Sequence, residues 1–263
     1  MYGARIGRIA TCSHGDAVAP ELSCSWVIQN DAAPRRSAPP IASPQALAEG
    51  YATRAAAIEA RHNAQTADTV AALRKKYAAP VLGRVSPWSL VEKLAQCIDP
   101  TDCRLFGASQ QLHVLQMIDA MEAEGTASEE WLLVALVHDI GKVLLLTGEA
   151  PENVVCMNRP VSVCAPGGGL DNCMFQWNHD EFAYSRLRDY LPDGLAWLVR
   201  YHSILPETCE RYMDTRDREY ANRYLRPFAR YDHHTKSPLY LPQRRLEDYR
   251  SIVERALPAT IVF

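Results

Sequence analysis

The sequence predicts an all-α protein, a single helical bundle whose metal ligands come from several helices. Three observations predict it. Strand signals are scarce after residue 43, and apolar residues recur at helical spacing. Helix-start signals repeat at Ser43-Pro44, Ser86-Pro87, Ser109 and Ser128. An apolar run, Leu132-Leu-Val-Ala-Leu-Val137, leads straight into His138-Asp139, two metal-competent side chains where a core helix would carry none.

With 263 residues, 48% of them hydrophobic, the chain can bury a sizeable core. Residues 1–42 are rich in Ala, Ser and Pro, with arginines at Arg5, Arg8, Arg35 and Arg36, and have no apolar run suited to a secretory signal. They read as an irregular N-terminal extension ahead of one domain over 43–263. From Ser43-Pro44 through Tyr77 the pattern gives one or two helices, broken near His62-Asn63. Ser86-Pro87 begins a helix to about Ile98, followed by the loop Asp99-Pro-Thr-Asp102. Ser109 opens a helix carrying His113. Ser128, followed by Glu129 and Glu130 at the positive helix end, opens one running to about Leu145 and holding His138, Asp139 and Lys142. Gly148 to Asn172 is a long loop with three prolines and Gly167-Gly-Gly169, the composition of a functional lid with a hinge. Helices resume around His179, around His202 and before Asp232, and a last one spans roughly Gln243 to Ala256.

The formal net charge of −3 and short basic runs predict no nucleic-acid partner. No stretch approaches the roughly 20 apolar residues of a membrane span. Eight scattered cysteines form no C-x-x-C pair. They read as reduced, mostly buried thiols of a cytoplasmic protein, with a disulfide open among Cys156, Cys164 and Cys173, which share one loop. A monomer acting on a small molecule is the expectation.

The ordered series His113, His138-Asp139, His179, His202, Asp232 carries the chemistry. Four imidazoles and two carboxylates suit iron or manganese in a two-metal site, without the thiolates of a closed zinc site. A lone histidine on an apolar face is usually a satisfied core residue. Asp139 inside an apolar helix is harder to dismiss, because a buried unpaired carboxylate is costly and metal coordination removes that cost. Adjacent helical residues point about 100° apart, so Asp139 bridging two ions with His138 on one of them is the natural arrangement.

His113, His138-Asp139 and Asp232 resemble the HD-domain superfamily of metal-dependent proteins. The likeness narrows with Leu136-Val-His-Asp-Ile-Gly-Lys-Val143, Trp177-Asn-His-Asp-Glu-Phe182, Arg200-Tyr-His-Ser203 and Phe228-Ala-Arg-Tyr-Asp-His-His-Thr-Lys-Ser-Pro238, which look like successive motifs of the myo-inositol oxygenase family. Upstream, His62-Asn-Ala-Gln-Thr66 and Ile98-Asp-Pro-Thr-Asp102 resemble it too, so the similarity covers roughly residues 50 to 260. The resemblance implies an HD-domain-like bundle and a mixed-valent Fe(II)/Fe(III) pair held by His113, His138, Asp139, His179, His202 and Asp232, with Asp139 bridging. It implies O2 as co-substrate and cleavage of a C–C bond of a cyclic polyol, most simply myo-inositol to D-glucuronate. It makes Lys142, one turn after His138, a catalytic contact to the substrate. Ser203, Lys236 and either Asp99 or Asp102 would bind hydroxyls; the bland reading of Asp99 is a turn residue before Pro100.

The chain departs from the family at three places. The family's N-terminal Phe-Arg-Asn-Tyr segment has no clear match. Val154-Val155 leads into Cys156-Met157-Asn158 where the family has Gly-Asp-Thr, so Met157 stands in place of a hydroxyl-binding aspartate. The loop before Trp177 is shorter than in the animal form. One charged hydrogen bond lost from a polyol site is worth about 1.5–3 kcal/mol. Asn158 or Asn172 would have to supply a substitute, or the substrate is less hydroxylated. The alternatives are an HD-type oxygenase cleaving the C–P bond of a hydroxylated phosphonate, and a metal-dependent HD phosphohydrolase. His179, His202 and Lys236-Ser-Pro238 argue against the hydrolase, and the complete ligand set against a non-catalytic binding protein.

Overall fold

Short polar side chains start the helices, as the sequence anticipates. The computed structural model describes residues 44–204 and 206–263; the expected extension over 1–42 lies outside the described residues. Helix α1 (Pro44–Asn63) ends where the break was expected, and α2 (Ala67–Lys76) opens on Thr66, whose hydroxyl accepts from Thr69 N. A two-residue strand β1 (Arg84–Val85), which the sequence did not signal, pairs antiparallel with β2 (Ile261–Val262) at the C-terminus.

Helix α3 (Pro87–Lys93) starts on Ser86-Pro87 but stops short of the predicted Ile98. The N–H groups of Leu94 through Cys97 bond only three residues back, and the Leu94 and Cys97 carbonyls accept from Gln111 N and Gln110 N at the start of α4. Helix α4 (Gln110–Ala123) is capped by Ser109 and α5 (Glu129–Val137) by Ser128.

The long helix expected through Lys142 does not form. His138 still bonds back to Val134 O at 2.9 Å, but Asp139 leaves helical geometry (φ −95°, ψ 3°), and Ile140–Thr147 winds as a tighter 3₁₀ helix. The cause is close packing: a Cβ on Gly141 would lie 2.2 Å from the carbonyl oxygen of His179, at the start of α6 (His179–Leu187). The change of winding also corrects the placement of Lys142. In a 3₁₀ helix residues three apart eclipse, so Lys142 sits over Asp139, at 3.0 Å, rather than over His138.

Helix α6 packs on α7 (Asp193–Tyr201), which ends at His202. A short α8 (Pro206–Cys209) precedes α9 (Thr215–Tyr220), whose Asp214 and Asp217 form a reciprocal cap. One π turn, Ala221–Leu225, joins α9 to α10 (Arg226–His234), which carries Asp232. The last predicted helix is a 3₁₀ turn, Leu246–Tyr249, then α11 (Arg250–Ala256). The core is continuous across these elements, with Met117, Ile118, Leu136, Leu198 and Phe228 fully buried.

The loop expected over Gly148 to Asn172 continues to Asn178; this stretch holds two short 3₁₀ turns and is pinned by side chains. Gln65 clamps the Trp177 backbone from both sides, accepting from its N–H at 2.7 Å and donating to its carbonyl at 3.0 Å. The His62 Nδ1–H donates to Glu152 O. Glu149 accepts from Lys76, Tyr77 and Asn153. Within the loop an antiparallel bridge between Pro160 and Phe175 brings Cys164 and Cys173 to a Cα separation of 5.4 Å, where they form a disulfide. The expectation of reduced thiols therefore fails for this pair. Among the described residues no helix is long and apolar enough to cross a membrane.

Candidate metal centre and substrate cavity

The six predicted ligands reach one buried centre from five stretches of backbone, His138 and Asp139 being adjacent. His113 comes from α4, His138 from the end of α5, Asp139 from the turn after it, His179 from the first residue of α6, His202 from the end of α7, and Asp232 from α10. All are at most 5% exposed. Their donor atoms fall into three overlapping triples, each within 4.8 Å: His113, His138 and Asp139; His138, His202 and Asp232; Asp139, His179 and His202.

Backbone carbonyls orient three of the four imidazoles. The Nδ1–H of His138 donates to Ala135 O at 2.9 Å, that of His179 to Val154 O at 2.7 Å, and that of His202 to Val199 O at 3.0 Å. Each leaves its Nε2 lone pair facing the centre, the outer-shell arrangement that prepares a metal ligand. The Nε2 atoms of His179 and His202 approach to 3.3 Å. Asp139 lies between two halves of the cluster: Oδ1 stands 3.1 Å from His179 Nε2 and 3.6 Å from His202 Nε2, while Oδ2 stands 3.4 Å from His138 Nε2.

The site's polar atoms fit a pair of cations. His138 Nε2 and Asp139 Oδ1 are buried without a hydrogen-bond partner, a cost that coordination would remove. Burial alone would raise the Asp139 pKa, but Lys142 and His138 hold its carboxyl well below the ordinary range; Lys236 and His113 do the same for Asp232. Burial disfavours charge on His179, yet Asp180 and Asp139 push its pKa up to about 10, so this half of the centre attracts positive charge. Burial, helped by Lys236, drives His113 down to about 4, keeping it a neutral donor.

A polar cavity of about 180 Å³ opens on this centre. The predicted substrate contacts Asp99, Asp102, Lys142, Ser203 and Lys236 all line it, together with Asp139, His179, His202 and Asp232, whereas His113 and His138 stand behind it. Lys142, 4% exposed, bridges Asp139 and Asp99 (3.1 Å) and donates to Gln110 Oε1 (2.9 Å). Burial opposes its charge, but these carboxylates hold it firmly protonated. Lys236 repeats the pattern between Asp232 (3.4 Å) and Asp102 (2.7 Å). Asp99 is a turn residue, its Oδ1 accepting from Thr101 N at 2.8 Å, while its Oδ2 faces Lys142 on the cavity wall. Neither Asn158 nor Asn172 lines the cavity: Asn158 donates to Asn178 Oδ1 and Asn172 to Gly168 O.

Two features escaped the sequence reading. Asp180 is fully buried, with Oδ1 at 2.9 Å from His179 Nε2 and 3.4 Å from His202 Nε2, and Oδ2 accepting from Ser203. In sequence it looks like an ordinary acidic residue of a helix's first turn, and its only signal is its place beside His179. Cys156, on the cavity wall, has φ +85°, a region that disfavours side chains.

The fold and site together define a helical metalloenzyme class in which histidines and aspartates from separate helices converge beside a polar cavity. The chain belongs to the myo-inositol oxygenase family: the profile described as Myo-inositol oxygenase matches residues 53–165 and 153–263. A probable inositol oxygenase of Oryza sativa subsp. japonica is 28% identical over 241 residues, covering 76% of this chain and 77% of that one. Inositol oxygenase 1 of Arabidopsis thaliana is 27% identical, covering 76% of each chain. Inositol oxygenase of Mus musculus is 23% identical, covering 76% of this chain and 83% of its own. The protein is thus an inositol-oxygenase-like enzyme.

Proposed function

We propose that this chain is a non-haem di-iron oxygenase that uses O2 to cleave a C–C bond of a cyclic polyol, in the simplest case converting myo-inositol to D-glucuronate. The ring, C6H12O6, and O2 give C6H10O7 and water, so four electrons leave the carbon skeleton and reduce both oxygen atoms. The observation that carries the reading is the convergence of six buried donor atoms, in three overlapping triples, on a cavity walled by lysine, serine and aspartate. His113, His138, Asp139, His179, His202 and Asp232 would hold the iron pair, with Asp139 offering one oxygen to each half. When bound, the pair supplies redox chemistry and a Lewis-acidic seat for adjacent hydroxyls.

The chain's own groups do the rest. Lys142 Nζ, kept protonated, donates to a substrate hydroxyl and stabilises negative charge as that oxygen loses its proton. Asp99 and Asp102 accept from further hydroxyls, and Ser203 and Lys236 fix the ring's orientation. The lid, clamped by Gln65 at Trp177, helps exclude bulk water from the centre.

On the cavity wall Arg104, Lys142 and Lys236 each lie within 4.0 Å of a carboxylate, so the wall offers donors and acceptors side by side, as a polyol's hydroxyls need. The test is O2 uptake with glucuronate analysis on iron-loaded, partially reduced protein given myo-inositol. Glucuronate in step with O2 is the expected result. Phosphate release from esters without O2 consumption would replace this reading with the hydrolase.

A further inference from the structure

A second cavity, of about 190 Å³, adjoins the first and shares Met157, His202 and His233 with it. Its chemistry is different. Ile204, Met213, Leu225 and Ala229 form its wall. The charged residues Glu210 and Arg226 stand at its rim, both well exposed and 3.6 Å apart. The π turn Ala221–Leu225 brings two apolar residues to the wall from one extra-wide turn, a local geometry that is rare and concentrated at functional sites.

A polyol would leave its hydroxyls unpaired against this wall, at a cost of about 1–3 kcal/mol each. Water is poorly held there for the same reason, since it needs two or more polar partners. A small apolar gas suffers neither cost. The inner end of the cavity meets the rings of His202, whose Nε2 faces the ligand cluster, and His233; of the three side chains shared with the polar cavity only Met157 is apolar and flexible.

We propose that this apolar cavity is a dioxygen site. It takes O2 from solvent behind the Glu210–Arg226 rim and delivers it past Met157 and His202 while the polyol occupies the polar cavity. The inference rests on the oxygenase reading above. Xenon is the probe, because it enters dry apolar cavities without needing iron or turnover. Crystals of the wild type, Ala229→Leu and Leu225→Phe are pressurised with xenon, and the KM for O2 is measured on the same proteins. The expected result is xenon in the wild-type cavity and its loss in either variant. With that loss the KM for O2 should rise about fivefold or more, while the KM for myo-inositol and the iron content stay constant. No xenon in the wild type overturns the proposal. So does a filled cavity with an unchanged KM for O2, or one that raises the polyol KM instead, which would assign the cavity to substrate. A wild type that consumes O2 normally confines such failures to this proposal; one that consumes none with any polyol overturns the oxygenase reading as well.

Discussion

Lys142 and Lys236 each tie a carboxylate of the ligand cluster to one of the cavity wall, Asp139 with Asp99 and Asp232 with Asp102. Replacing Lys142 with Gln removes a charge that substrate oxygen would meet, so kcat/KM should fall about 100-fold, or about 2.7 kcal/mol, with iron per chain retained. Steady-state kinetics beside metal analysis checks this, and a parallel fall in iron would assign Lys142 to holding the cluster instead. Met157→Asp should lower the KM for myo-inositol about tenfold, the weight of one charged hydrogen bond. An unchanged KM would mean the substrate does not reach that wall. His138 and Asp139 were legible because such side chains are conspicuous after an apolar run, whereas His179 and Asp232 sit in polar helices and stood out through the motifs around them. Asp180 and Gln110 were not, since neither type is unusual at a helix start, and only the fold reveals that both are buried against the site.

The element that matters most is the one whose winding changes. The apolar pattern from Leu132 onward suits an α-helix, and nothing local announces that it tightens after Asp139. The reason is tertiary, the approach of His179's carbonyl to Gly141. Gly141→Ala would force these backbones apart, and a cost of about 1–3 kcal/mol is expected from overpacking. Denaturant unfolding should show that loss, and iron binding should weaken with it because His138, Asp139 and His179 move. Glu149 offers a test at the joint of α2 and the lid. Burial alone would raise its pKa, but Asn153, Lys76 and Tyr77 hold it at about 2, below its ordinary 4.5. The unfolded chain therefore binds more protons between those values, so this contribution is complete above about pH 4.5 and lost as pH falls through about 2. Glu149→Gln should lower the melting temperature at pH 7 and converge with the wild type near pH 2. An equal deficit at both pH values would show that packing, not charge, is responsible.

At the scale of the molecule, the bundle class, the cap positions and the order of ligand-bearing helices could be read from the sequence, because each follows from local pattern. The β1–β2 pair could not, since strands of two residues carry no strand period, and neither could the cavities, which exist only between elements. Iron should act on the whole molecule. Metal that binds only the folded chain stabilises it by about 4 kcal/mol at 1,000 times its Kd. Iron-loaded protein should therefore melt several degrees above apo protein, and His138→Ala should erase most of the difference. Equal melting temperatures for loaded and stripped wild type would refute a structural role for the metal.

Val154's carbonyl accepts both from the backbone N–H of His179, at 2.8 Å, and from its imidazole Nδ1–H. One oxygen atom on the loop thus holds a ligand's main chain and its ring together. Loosening the loop frees the imidazole, and seating an ion on the imidazole tightens the loop. In a crowded solution of proteases, starvation for iron would then be felt first as cleavage between Gly148 and Asn178, making the half-life of this segment a gauge of metal supply.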